Sequence, residues 1–171
     1  MKKILVFAAA AALAAGIASG ANINKDTKEL RLSGTVDFDT AAGTYVAIDP
    51  GFGYFVADGI ELGGEVSYAD DDVASLYGFQ VFAEYNVDLG AELVPFVGGS
   101  LGWRRFDAKD LDNKDAATIG ATGGAKYFVS DDLAISGQAE VLWATDDIFA
   151  DKGKTKDTDW RLTIGLRYYF D

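Results

Sequence analysis

The chain has 171 residues and a mass of 18.2 kDa, the size of one domain. It contains no Cys and no His, which excludes zinc sites built on those residues, Cys nucleophiles, disulfide frameworks and any catalytic imidazole. With 15 basic against 27 acidic residues its net charge is −12, so it repels phosphate backbones and no nucleic-acid partner is expected.

Lys2 and Lys3 precede an apolar run from Ile4 to Ile17, and Ser19-Gly20-Ala21 supplies the small residues of a cleavage site. This is the pattern of a cleavable signal peptide of bacterial kind over residues 1–21, leaving a domain over residues 22–171. A retained transmembrane helix, which needs roughly 20 apolar residues, is the alternative. No Cys follows the run, which excludes a lipoprotein anchor.

After Ala21 the apolar period is two, not 3.6, and it predicts eight strands. In the first, Leu30, Leu32, Val36 and Phe38 alternate with Arg31, Ser33, Thr35 and Asp37. The second runs from Thr44 to Val56 with Val46, Ile48, Phe52 and Tyr54 on its apolar face. Ala57-Asp58-Gly59 then signals a tight turn. The third sets Ile60, Leu62, Val66 and Tyr68 against Glu61, Gly63, Glu65 and Ser67. The fourth sets Tyr77, Phe79, Val81, Ala83 and Tyr85 against Gly78, Gln80, Glu84 and Asn86. The fifth, from about Leu93 to Arg105, sets Val97, Leu101 and Trp103 against Gly98, Ser100, Gly102 and Arg104. The sixth, Thr118 to Val129, sets Ile119, Ala121, Ala125 and Tyr127 against Thr122, Gly124 and Lys126. The seventh alternates Leu133, Ile135, Ala139, Val141 and Trp143 with Ser136, Gln138 and Glu140. The eighth alternates Trp160, Leu162, Ile164, Leu166, Tyr168 and Phe170 with Arg161, Thr163, Gly165 and Arg167.

Connections after the second, fourth and sixth strands are short, whereas Ala69–Ser75, Asp107–Ala116 and Thr145–Asp157 are longer and Asp-rich, and only the first connection, Asp39–Gly43, breaks the contrast by being short. An even strand number with short turns at one end and long loops at the other predicts an all-β, eight-stranded antiparallel up-and-down transmembrane barrel. Three features put its apolar face outside. Aromatic residues of apolar parity gather at two levels: Tyr54, Tyr85, Tyr127, Tyr168 and Phe170 at the short-turn end, and Phe38, Tyr68, Tyr77, Trp103, Trp143 and Trp160 at the loop end. Tyr77 to Tyr85 and Trp160 to Tyr168 both span about 26 Å along a strand, a fit to a tilted membrane band. The polar face is rich in small residues, as a narrow lumen requires. Its charges also balance, with Glu61, Glu65, Glu84 and Glu140 against Arg31, Lys126, Arg161 and Arg167, which suggests an interior ion-pair network.

Two details strain this scheme. Pro50 lies inside the second strand, so a local bulge or a later strand start is expected there. Phe82, Phe128, Leu142 and Tyr169 have inward parity and are expected to fill the lumen near its ends, with a gate as the alternative.

The stretch Pro50-Gly-Phe-Gly-Tyr-Phe-Val56 with Ala-Asp-Gly-Ile-Glu-Leu-Gly63 resembles the second hairpin of small outer-membrane β-barrel domains of the OmpA/OmpX type. Leu93-Val-Pro-Phe-Val97 with Leu101-Gly-Trp103 is similar to their fifth strand. Leu166, Tyr168 and Phe170 resemble the C-terminal signal read by the barrel-assembly machinery, although Asp171 follows where such chains end on the aromatic. The resemblance implies an outer-membrane location, contact with outer-membrane lipid and lipopolysaccharide, and an extracellular partner left unspecified. It implies a non-enzymatic role in envelope integrity or adhesion, with no cofactor, since enzymes among small barrels rely on a His this chain lacks. A narrow channel and a soluble periplasmic ligand-binding barrel are the alternatives. Asp110-Leu-Asp112-Asn113-Lys-Asp115 has the alternating oxygens of a calcium loop but not its Gly or terminal Glu, so a solvated acidic loop is expected and no metal site.

Overall fold

The computed structural model describes residues 22–40, 43–70, 74–108, 113–151 and 154–171, with side chains described except at 35–40, 43–46, 74, 108, 150–151 and 154–155. The expected signal peptide, the Phe38 ring, most of the Asp70-Asp71-Asp72 run and residues 109–112 of the acidic loop therefore lie outside the described side chains.

Among the described residues ten strands follow one another: β1 (Lys28–Thr40), β2 (Gly43–Ala57), β3 (Ile60–Asp70), β4 (Ala74–Asn86), β5 (Leu93–Ala108), β6 (Lys114–Ser130), β7 (Leu133–Ala144), β8 (Phe149–Asp151), β9 (Lys154–Lys156) and β10 (Thr158–Phe170). Eight of them close into an antiparallel barrel in the order β1-β10-β7-β6-β5-β4-β3-β2. Closure removes the unpaired edge that an open sheet would expose. The remaining two, β8 and β9, pair as a separate hairpin inside the long connection between β7 and β10. Alternation by itself could not reveal this hairpin, because three residues are too few to show a period.

Period-two alternation becomes a wall with two surfaces. Leu32, Leu62, Val66, Phe79, Val81, Val97, Leu101, Ile119, Ile164 and Leu166 all face outward, and Leu162 is 83% exposed. Tyr68 and Tyr77, opposite one another on β3 and β4, bring their rings to 5.3 Å at the loop end. Phe79 and Trp103 are likewise paired across β4 and β5 at 6.3 Å. A wall of this composition is compatible with hydrocarbon and not with water, which removes the soluble-barrel alternative.

Three expectations need correction. No register shift occurs at Pro50, which sits opposite Leu32. The β2–β3 ladder instead skips Asp49 and Pro50 and resumes in the same register at Gly51, so the strand absorbs the missing N–H by losing pairs without gaining a residue. The β5–β6 hairpin also extends farther than the expected loop Asp107–Ala116, because Arg105↔Asp115 and Phe106↔Lys114 remain paired beyond the aromatic level. Finally, Phe82 is not near an end of the barrel. It lies mid-strand, opposite Gly63 and Ser100.

At the short-turn end the lumen is floored by Phe55, Val94, Phe128, Ala134 and Tyr169 together with Ile23, which precedes β1. At the loop end Ile148 and Phe149 fold over Ala116 and Leu142, with Phe106 and Ala144 against them. The charged interior lies between these two apolar clusters.

Candidate functional site in the barrel lumen

Inward side chains of β1, β3, β4, β6 and β10 meet in a compact charge cage. Arg31 donates from Nε to Glu29 at 2.9 Å, from Nη2 to Glu61 at 2.9 Å and from Nη1 to Glu84 at 2.8 Å. Lys126 Nζ lies 3.0 Å from Glu29, 3.2 Å from Glu61 and 3.2 Å from Glu84. Arg167 Nη1 reaches Glu29 at 3.1 Å and Glu84 at 3.0 Å, while its Nη2 donates to Gln138 at 2.8 Å. Three carboxylates thus share three cations, and each carboxylate touches two or three of them. All six side chains are buried.

Aromatic rings line the cage. The Arg31 guanidinium lies 3.6 Å from the Phe82 ring centroid, and Arg167 lies 4.8 Å from that of Phe96. Lys126 faces Phe55, Phe96 and Tyr169 at 5.8, 5.2 and 5.7 Å. Such faces attract cations without supplying a hydrogen-bond acceptor. Desolvating six charges costs several kcal/mol per ion, which only a fully paired arrangement offsets.

Small residues make the necessary room. A Cβ at Gly51 would stand 2.7 Å from Arg31 Cγ, one at Gly53 would collide with the Glu61 carboxylate, and one at Gly63 with the Phe82 ring. The glycines of the polar face are the volume into which the long charged side chains extend. Chain length sorts the acids in the same way: five of the six Glu residues (29, 61, 65, 84 and 140) point into the barrel, since Glu carries its carboxylate one methylene farther from the wall than Asp.

Nearer the loops a second, looser tier contains Asp49, Glu65, Gln80, Arg104, Glu140, Asp159 and Arg161. Arg161 Nη2 donates to Glu140 at 2.7 Å, and its Nε is 3.8 Å from Asp159. Gln80 donates to Glu65 at 3.0 Å and accepts from Arg104 at 3.4 Å. Among the described residues Arg104, although only 2% exposed, has no carboxylate within 4.0 Å. Here carboxylates outnumber cations.

The structure therefore divides the eight residues expected to form one network. Arg31, Glu61, Glu84, Lys126 and Arg167 belong to the cage, whereas Glu65, Glu140 and Arg161 belong to the upper tier. The one-to-one balance expected for the whole lumen holds only within the cage, and only because Glu29 joins it. Glu29 shares the parity of Arg31 and is lost when the first strand is started at Leu30. Arg104, Gln80 and Gln138 were visible on polar faces, but Gln carries no charge to attract attention. Asp49 was obscured by its neighbour Pro50.

The aromatic residues occupy the opposite surface. Tyr85 and Tyr168 face outward at the short-turn end, and Tyr68, Tyr77, Trp143 and Trp160 at the loop end. Tyr54, Tyr127, Phe170 and Trp103 are partly covered. Tyr168 and Phe170 stack at 6.1 Å beside Leu166, and Lys28 stands 5.7 Å over the Phe170 ring.

No family model matches the chain, and no curated protein matches it in sequence. Solved structures do. The N-terminal β-barrel domain of Pseudomonas aeruginosa OprF matches with TM-score 0.64 at 16% identity, covering 85% of this chain and 98% of that one. Neisserial surface protein A matches with TM-score 0.59 at 14% identity, covering 84% and 95%. The outer membrane protein OprG of P. aeruginosa matches with TM-score 0.54 at 16% identity, covering 90% and 99%. At these identities the likeness shows the fold, which is that of the small eight-stranded outer-membrane β-barrels.

Proposed function

We propose that this protein resides in the outer membrane as a sealed, non-enzymatic barrel that supports the envelope and presents acidic loops outside. The observation that carries this reading is the neutral charge cage across the lumen. Three carboxylates and three cations, mutually bonded and backed by an aromatic floor, leave no free charge there to escort an ion. In this reading the short turns face the periplasm, and outer-membrane lipid and lipopolysaccharide surround the aliphatic wall. Leu166, Tyr168 and Phe170 offer the assembly machinery an outward-facing signal on β10. The extracellular partner is left open, and the absence of His and Cys supports a role without catalysis.

Fractionation with heat-modifiable mobility on a denaturing gel tests location and barrel closure together. Planar-bilayer recording tests the seal: absence of steady single-channel steps supports it. Steady conductance would favour the channel reading, which draws on the carboxylate excess of the upper tier. Hydrolase or acyltransferase activity of the purified barrel toward envelope lipids would overturn the non-enzymatic reading.

A further inference from the structure

Residues 22–27, just ahead of β1, do not trail away from the barrel. Ile23 is 3% exposed and enters the apolar floor among Phe55, Val94, Phe128, Ala134 and Tyr169. Its carbonyl accepts from Gly59 N at 2.9 Å, in the β2–β3 turn, where Gly59 has φ 71°. Asp26 N donates to Phe55 O at 2.8 Å, and Phe55 N donates to Thr27 O at 2.9 Å. Lys25 N donates to Asp58 Oδ1 at 2.8 Å, Tyr54 bonds to Asp26, and Thr27 Oγ1 donates to Asn22 at 2.9 Å. Asp26 takes the left-handed conformation, φ 74°, that turns the chain from this strap into β1.

We propose that residues 22–27 form a displaceable strap that seals the short-turn mouth and keeps water from the charge cage. Two features make it displaceable. Only two of its side chains are buried, Ile23 in the floor and Thr27 where the strap joins β1, and its remaining anchors are hydrogen bonds at the rim, several of them exposed. No barrel ladder needs to break for it to leave, so it opens as a local unit far more often than the barrel unfolds. What lies above makes opening consequential. Phe55 and Tyr169, which share the floor cluster with Ile23, are two of the three rings that face the Lys126 ammonium. Lifting Ile23 therefore exposes the underside of the layer separating the six buried charges from solvent.

The absence of native Cys allows a direct test. Ala134 is fully buried in the floor, and Ser130 is exposed on the same rim. A134C and S130C single-cysteine barrels, purified from a form beginning at Asn22 and folded in detergent, are treated with a charged maleimide. With the strap intact, Cys at 134 labels at least about a hundredfold more slowly than at 130. In A134C, Ile23→Ala and deletion of residues 22–26 both raise its rate by at least about tenfold, while heat-modifiable mobility shows that the barrel stays closed. Fast labelling with the strap intact would overturn the proposal. So would protection that survives the deletion in a folded barrel. If Ile23→Ala alone is compared in a barrel that loses heat-modifiability, hydrogen exchange at the Gly59 and Phe55 amides in the parent replaces the readout. Protection there no greater than at Val129 counts against the strap, and protection well below that of the β3–β4 ladder but above the rim supports it. The result is separable from the sealed-barrel reading, because steady conductance of the parent would defeat that reading and leave the strap's protection of position 134 unchanged.

Discussion

Lys126 and Glu29 are 97 residues apart in sequence, and their charged atoms meet at 3.0 Å with both side chains fully buried. Lys126 also holds Glu61 and Glu84, so one ammonium serves three carboxylates contributed by β1, β3 and β4. Lys126→Met leaves those carboxylates with two guanidiniums and should destabilise the barrel by about 3–5 kcal/mol in denaturant unfolding. Adding Glu61→Gln should recover part of that loss, so the two changes combine less than additively.

The cage depends on small neighbours as much as on its charges. Gly63→Ala pushes a methyl group into the Phe82 ring that lies against Arg31, and should cost about 1–3 kcal/mol. Gly137 has open space around its would-be Cβ and faces outward, so Gly137→Ala should stay within about 0.5 kcal/mol of the parent. Equal losses at both positions in lipid-vesicle unfolding would show that the lumen is not tightly filled.

Position on the outer wall should set the cost of a charge. Val81 lies four residues from each of Tyr77 and Tyr85 and is 56% exposed. Val81→Arg should cost about 2–4 kcal/mol in a bilayer, and Tyr85→Arg about 0–1 kcal/mol. Equal costs measured in vesicles would remove the membrane boundary from the Tyr85 level.

At the loop end, Phe149 shares with Ile148 the apolar anchorage of the connection that carries the β8–β9 hairpin. Phe149→Asp should release this connection without opening the barrel wall. Trypsin should then cut near Lys154 or Lys156 faster than in the parent, while heat-modifiable mobility is retained. Unchanged cleavage would mean that Ile148 alone holds the connection in place.

The wall was more legible in the sequence than its contents. Alternation such as Leu162, Ile164, Leu166 against Arg161, Thr163, Arg167 is enforced by the pleat, so it located every barrel strand and separated its faces. Which interior charges touch depends on stagger around the barrel, and no local period records stagger. Glu65 and Glu61 share a strand face yet belong to different tiers. The apolar caps were hidden for another reason: Ile23, Ile148 and Phe149 lie in connecting segments, where a single buried residue has no neighbours to form a pattern.

The charge cage also crosses the seam where the cylinder shuts. Glu29 and Arg31 come from the strand synthesised first and Arg167 from the one synthesised last, and these strands pair from Lys28↔Phe170 to Gly34↔Ile164. Any intermediate lacking that closing strand pair holds acids in its hollow that have not met their full complement of bases. Electrostatics thus penalises an unfinished cylinder in addition to the cost of its open edges, favouring late, all-at-once completion.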